Sequence, residues 1–512
     1  MDDLALPMES KETDSLGPST KKSAKKNPAN SAPAPDGKLT RREAIGKIAA
    51  VGVGVVVVAV VGVGGYLYYT ETTKSNNTST TSSSTTQVTT APPTHVTSSA
   101  AAGPSQVHLG AVISQSGPFA AFGQGTKFGH QQAIADLMAQ GGISINGKKV
   151  PITYTIYDDA SDPTKASSLA SQVILSDNVD MLVGSIAPPD TQNPISVACD
   201  RYSVPLMGTT GPYEPWWAGG PYKYSWSLGF RIVIEPTQVG WTASPLNGVS
   251  GATAADVFMG VTNEFQSQMN SNAAILTCGD TDGTGWYGAL PPYLTKAGYN
   301  VVSPQLYPPG TTDFSSIITA WKNAPCDFIW ANLPAPDFGT FWRQSAELNY
   351  RPKLAMIGRA PLFYTDINAW GDSLPLDVCT EVWWDPSWGY KGVGTTTSQS
   401  LAAAWSTSMN APVNPAIGPA YAAVQIAADA ITRAGSLDKD EVNTAIGETN
   451  GNFMMGPCQM VPATHDSPCF ETVGQWQAGT GSEPNWVLPV VWSNVNVAPE
   501  AAKVVFPLPP WS

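Results

Sequence analysis

Between His108 and Pro163 the chain reads strand, glycine-rich loop, helix, turn, strand, an order that few folds accept. Leu109–Ile113 is a short apolar run, and Ser116-Gly117-Pro118 breaks it where a strand would hand over to a helix. From Gly125 the apolar residues Phe128, Ile134, Ala135, Leu137 and Met138 fall near helical spacing, and Gly141-Gly142 ends them. Val150, Ile152, Tyr154 and Ile156 then alternate with polar residues up to Asp158-Asp159. This is a βαβ unit, whose strands must be parallel and whose ligands sit at the strand's carboxyl end.

The same order recurs along the chain. Ser161 to Thr164 caps a second helix running to about Ser176, with Ala166, Leu169, Ala170, Val173 and Ile174 as its buried stripe. Asp180–Val183 reads as a strand, Gly184–Pro189 as the loop above it, and Asp190-Thr191-Gln192 as the next helix start, whose N–H groups suit an anion. Leu206-Met207 and the loop Gly208–Gly211 follow in the same way. From about Leu228 the pattern restarts, with a helix over Val257–Met269, a strand Ala273–Thr277, the loop Cys278–Trp286, and strands at Val301–Leu306, Phe328–Ala331 and Lys353–Ile357. The expected fold class is α/β, with two lobes, each a parallel sheet covered by helices on both faces, and a hinge between them. Residues 107–228 and 380–467 are assigned to lobe 1, and 229–379 and 468–512 to lobe 2. In that scheme Glu381-Val382-Trp383-Trp384 is a strand leading back to the first lobe, Ala420–Arg433 is a helix there, and the tail from Phe470 returns to the second.

Five segments follow one another in a family's order: SGPFAAFGQG from Ser116, AQGGISINGKKV from Ala139, YDDASDPTKA from Tyr157, VDMLVGSIAPPDTQ from Val179 and YSVPLMGTTGP from Tyr202. Together they resemble the branched-chain amino-acid type, or leucine-binding-protein family, of extracellular solute-binding proteins of ABC transporters. The resemblance is strongest over Val107–Pro212 and continues to about Gly479. It implies a type I periplasmic-binding-protein fold that captures a small solute, an amino acid, amide or related molecule, between two lobes and presents it to an ABC permease with its ATPase. The loops it points to on the first lobe hold Ser116, Phe122, Pro188, Asp190, Thr191, Thr209 and Thr210. In the family such loops offer hydroxyl and backbone donors to a ligand carboxylate; Pro188 stands where a serine is common, a loss that Thr209 and Thr210 would compensate. On the second lobe the loop residues are Trp286, Trp330 and the Gly358-Arg359-Ala360 turn. Members that bind amino acids place an acid near that turn to hold the ammonium, whereas Arg359 favours an anionic or neutral ligand, or points into solvent. For each tryptophan core packing competes evenly with a cleft role, since 17 tryptophans cannot all line one cleft.

The ends and the charge set the compartment. Residues 1–47 are polar and rich in Pro, Ser and Lys, and read as a disordered cytoplasmic tail. Ile48–Tyr69 is 22 residues without a charge, enough to span roughly 33 Å of hydrocarbon. Arg41, Arg42 and Lys47 precede it and Tyr66, Tyr68 and Tyr69 end it, which places the bulk of the chain outside the cell, anchored in its membrane. A cleaved signal or a twin-arginine export signal are competing readings of this block. Residues 70–106 form a Ser/Thr-rich tether with sequons at Asn76 and Asn77. A net charge of −13 argues against nucleic acid as a partner. Only 13% of residues are charged, half the usual share and compatible with an acidic exterior. Six cysteines outside the cell are read as up to three disulfides, with Cys458–Cys469 the favoured pair, Cys278 and Cys326 the next candidates, and free buried thiols the competing reading.

No catalytic residue, cofactor or metal is expected. Gly142–Lys149 nearly spells a phosphate-binding loop but leads from helix to strand and has Lys149 where a hydroxyl is required. Asp280-Thr281-Asp282-Gly283 imitates a calcium loop without its downstream glutamate, and the four histidines are scattered. From a different class, a ligand-sensing or adhesion ectodomain reusing the same fold is the alternative function.

Overall fold

The computed structural model describes residues 103–233, 253–371, 373–481 and 483–511, and residues 99–512 cluster as one compact unit. The expectations for the cytoplasmic tail, the apolar block Ile48–Tyr69 and the tether up to residue 102 lie outside the described residues. Among those described, no helix is long and apolar enough to cross a membrane.

The first sheet is built as the alternation of apolar runs and helical stripes requires. Strands β1 (Val107–Ile113), β2 (Ile152–Asp158), β3 (Met181–Val183), β4 (Leu206–Thr209) and β5 (Ser225–Ser227) are all parallel, in the order β2-β1-β3-β4-β5. Helices α1 (Ala120–Ala139), α2 (Pro163–Leu175) and α3 (Pro189–Tyr202) connect them. The period of two along β1 sends Leu109, Ala111 and Ile113 into the core with Ala133 and Leu137 of α1, while Val112 joins Ala166, Val173 and Ile195 on the opposite face. Helix α1 begins at Ala120 rather than Gly125. A Cβ at Gly123 would lie 1.9 Å from the carbonyl oxygen of Ser114, so the absent side chain lets the first turn close over the end of β1.

The second sheet carries helices α4 (Ala254–Glu264), α5 (Thr281–Lys296) and α6 (Ala335–Glu347). Its main strands are β6 (Asn272–Cys278), β7 (Gln305–Tyr307), β8 (Phe328–Asn332), β9 (Leu354–Gly358), β10 (Cys379–Val382), β11 (Thr472–Gln475) and β12 (Val490–Trp492), in the order β7-β6-β8-β9-β10-β11-β12, with the short strand Asn300–Val301 also paired to β6. It is parallel as far as β10 and antiparallel thereafter. Thr380, Glu381 and Val382 pair with Gly474, Val473 and Thr472, so these residues, expected to lead back to the first lobe, belong to the second sheet. The crossing begins at Trp383. Helices α7 (Ile417–Ala434) and α8 (Lys439–Gly447) then cover the first sheet, with α7 packed beside α1. Gly208, at φ +85 in the bulge of β4, lets α7 approach; a Cβ there would lie 2.4 Å from that of Ala423.

The segments that pass between the sheets are bonded to one another. Ser227 N–H donates to His465 O (2.9 Å), Ser467 N–H to Ser227 O (2.9 Å), and Cys469 N–H to Gly229 O (3.1 Å). Arg231 and Asp466 form an ion pair of 2.6 Å, both buried, with the guanidinium 3.4 Å from the centre of the Tyr213 ring. Such a pair fixes register, because either partner alone would be a stranded charge.

All six cysteines are free. The hairpin of Asn450–Phe453 and Gly456–Gln459 sets Cys458 opposite Gly451, and a turn closed by Val461 and Asp466 leads on to Cys469 in a crossing segment, yet the two thiols stay unpaired. Cys278 and Cys326 pack as apolar groups in one core. Burial pushes the thiols of Cys458, Cys278 and Cys326 up to about 12.

Two glycine substitutions check the packing of these layers. A Cβ at Gly129 of α1 would meet Ile417 O at 2.5 Å and Ala420 Cβ at 2.7 Å, whereas one at Gly288 of α5 meets nothing within 4 Å. Gly129→Ala is expected to cost about 1–3 kcal/mol and Gly288→Ala to stabilise by about 0.5–1 kcal/mol, as read from denaturant midpoints.

Candidate functional site

The strands deliver their carboxyl ends to a common place. Ala187 and Pro188 follow β3; Thr210, Gly211 and Pro212 follow β4; Asp282 and Trp286 follow β6; Asn332 ends β8; Arg359 follows β9; and Glu381 lies on β10. With Phe122 of α1, Leu362, and Phe230 and Trp383 of the crossing segments, they enclose a cavity between the two sheets. The room it leaves to the centre of a water molecule is ≈ 20 Å³, about one water's worth. The two sides therefore already touch. Phe122 meets Phe363 edge to face with centroids 4.5 Å apart, and Asp190 Oδ1 of α3 accepts Thr281 N–H of α5 at 2.9 Å.

Charge in this cavity is concentrated on one guanidinium and several acids. Arg359, at φ +62, is buried and pairs with Asp280 at 2.8 Å and Asp282 at 3.2 Å. Burial opposes its charge, but Asp282, Asp280 and Asp190 outweigh that and hold it protonated above its ordinary range. Asp280 caps α5 by accepting Gly283 N–H at 2.8 Å, so the stretch that imitated a calcium loop is a helix start facing an arginine. Asp282 also accepts Trp286 Nε1–H at 3.1 Å, and the Asn332 amide, oriented to suit its neighbours, donates to Asp282 at 3.2 Å. Burial lifts the Asp282 carboxyl to about 7 despite Arg359, with Asp280 and Asp190 adding to the rise.

Glu381 Oε1 accepts Arg359 N–H at 3.3 Å, and its Oε2, though buried, has no partner among the described residues. Burial is the main cause that lifts this carboxyl to about 8. Behind it stands Glu471, buried with neither oxygen partnered among the described residues, raised by burial and by Glu381 and Glu214. Trp383 separates the cleft from a second cavity of ≈ 220 Å³, lined among others by Leu228, Ile426, Phe453 and Phe470.

Of the residues picked from sequence, Phe122, Pro188, Thr210, Trp286 and Arg359 meet at the cavity. Thr210 Oγ1 is buried there without a partner among the described residues. Asp190 lies at the rim, in a shallow groove with Glu214 and Asp280. The others are elsewhere. Ser116 is exposed and its hydroxyl donates to Asp158 at 2.7 Å, which pins its loop to β2. Trp330 sits mid-strand in β8, fully buried, its Nε1–H on Thr262 Oγ1 at 3.2 Å, so it is core. Thr191 is buried in the first turn of α3 and does not line the cavity, and Thr209 ends β4. Trp286 is on helix α5, since the expected loop ends at Asp280. Arg359 neither faces solvent nor awaits an anion, because Asp280 and Asp282 already hold it. Sequence reasoning missed Asp282, Asn332 and Glu381; a buried strand, Cys379–Val382, that carries a charge was the available signal for the last.

The comparisons with known proteins agree with this geometry. Residues 106–479 match the family profile described as periplasmic binding protein. The Leu/Ile/Val/Thr-binding protein of Salmonella typhimurium is 28% identical over 239 residues, which are 47% of this chain and 58% of that relative. The match thus spans little more than half of that relative's length. A leucine binding protein from Thermotoga maritima superposes with a TM-score of 0.60 at 18% identity, covering 76% of this chain and 99% of that one. A solute binding protein of an ABC transporter from Rhodopseudomonas palustris, solved with 3,4-dihydroxybenzoic acid, does so at 0.59 and 17% identity, covering 78% and 99%.

The buried acids make stability depend on pH with a definite sign. Glu381 and Asp282 have ordinary values of 4.5 and 3.8 but about 8 and about 7 in the fold. Their neutral forms are favoured by folding, so the stability they allow is complete below the ordinary values and lost as pH rises through about 7 to 8. Melting curves are expected to place the protein's stability higher at pH 5 than at pH 8, with a shallower slope in Glu381→Gln; a maximum at neutral pH would contradict the assignment.

Proposed function

Because the chain belongs to the leucine-binding type of periplasmic binding protein, the family that serves ABC transporters, we propose that it captures a small polar solute between its two lobes and delivers it to an ABC permease and its ATPase. The observation that carries this reading is the small cavity whose wall is drawn from the loops of both sheets and from the segments crossing between them. A wall shared in this way exists only when the lobes meet, so guest and closure stabilise each other. The apolar block Ile48–Tyr69 serves as a membrane anchor in this reading, with the binding unit held outside the cell on the Ser/Thr-rich tether. Fold alone leaves the guest open. Dihydroxybenzoic acid sits in the Rhodopseudomonas palustris neighbour and leucine-type amino acids are named for other relatives, so the guest must be argued from this cleft's own side chains.

Solution scattering on the purified full chain, with amino acids, amides and short organic acids as the panel, tests the capture step. A guest is expected to lower the radius of gyration and raise the melting temperature, and Phe122→Ala to weaken its binding by about tenfold through the lost interlobe ring contact. No compaction and no melting shift with any member of the panel would remove the reading.

A further inference from the structure

The charge balance of the cleft says which end of a guest it holds, an inference that rests on the capture reading above. Arg359 is the one cation lining the cavity among the described residues. Asp280 and Asp282 pair with it, and Glu381 accepts its backbone N–H. The charge of Arg359 is therefore already compensated, and Asp190 at the rim adds a further acid. Arg359 Nε makes no hydrogen bond among the described residues, yet a guest carboxylate placed there would join those acids at close range in a dry site. Glu381 is the group that calls for a partner: it lines the cavity, and its Oε2 is buried with no partner among the described residues.

The first lobe is equally unsuited to an acid. Pro188 and Pro189 open α3 and have no N–H to give. The N–H groups of Thr191 and Gln192 already turn back to Pro188 O, at 3.2 and 3.4 Å. Asp190 puts a carboxylate in the same turn, where an anionic guest would need the opposite sign. Phe122, Phe230, Leu362 and Trp383 offer an apolar and aromatic wall, which suits a hydrocarbon body and the face of a cation.

The geometry points to an organic amine without a free carboxylate: its ammonium is held by Glu381 Oε2, with the Thr210 hydroxyl as a second acceptor, and its small apolar body lies against Phe122, Phe230 and Trp383. Glu381 is thus the residue that sets the specificity.

Calorimetric titration of the full chain with four molecules sharing one branched body tests this: 3-methylbutylamine, 3-methylbutanamide, leucine and 3-methylbutanoate. The amine is expected to bind best, at least about tenfold over leucine, with 3-methylbutanoate weakest. Glu381→Gln, which keeps the shape of the protonated acid, is expected to bring amine and amide within about threefold of each other, with an unchanged far-ultraviolet circular dichroism spectrum. Leucine or 3-methylbutanoate binding more tightly than the amine overturns the inference while leaving solute capture intact. Retention of the amine preference in Glu381→Gln overturns the role of Glu381. Binding of none of the four overturns the inference for this body, and the scattering panel then separately decides whether capture occurs at all.

Discussion

The buried guanidinium of Arg359 is the junction on which the interlobe geometry depends. It stands just past β9 with its backbone in the left-handed region, a conformation that non-glycine residues adopt at a cost. Its backbone N–H reaches Glu381 on β10, and its side chain reaches Asp280 and Asp282 at the start of α5. Asp280 in turn caps α5, and the next residue's N–H crosses to Asp190 of α3 on the other lobe. One charge removed from water thus aligns the ends of β6, β9 and β10 and aims a helix start at the facing lobe. Breaking one of its partners would leave a buried charge uncompensated, which is far costlier than never having buried it.

Much of the architecture was legible because the hydrophobic pattern repeats. Leu109–Ile113, Asp180–Val183, Leu206-Met207 and Phe328–Ala331 each announce a strand, and the glycine-rich or proline-rich breaks after them announce the loops from which a parallel sheet builds its site. Those loops did supply Pro188, Thr210 and Arg359, and Phe122 and Trp286 followed from the same logic one turn into a helix. Ser116 was misread because a hydroxyl after a strand looks the same whether it faces a cleft or binds a neighbouring aspartate. Trp330 was misread because the two faces of a central strand are both apolar, so periodicity does not tell a cleft-side ring from a core ring. Glu381 was missed for a related reason. It sits beside Cys379, Val382, Trp383 and Trp384 in a stretch that reads as a strand returning to the first lobe, and only the pairing of β10 with β11 puts it in the second sheet. The expected disulfides are not formed, since an even count and short spacing do not by themselves pair two thiols.

Charge is scarce in this chain and yet spent inside it. With 13% charged residues, it still buries Arg231, Asp282, Arg359, Glu381, Asp466 and Glu471 near the crossing segments and the cleft. Hydrophobic burial sets up the two lobes, but polar groups decide how they address each other. The Arg231–Asp466 pair ties two crossing segments in register while Asp280 and Asp282 compensate the charge of Arg359 in the cleft.

Trp383 stands between the cleft and the larger void behind it, and most of the cleft's remaining wall is close-packed strand end and helix start. A ring backed by empty space has somewhere to retreat, whereas Trp286, fully enclosed, has not. The wall is therefore more compliant around Trp383 than around Trp286, and elasticity rather than rigid fit would govern how bulky an occupant it tolerates.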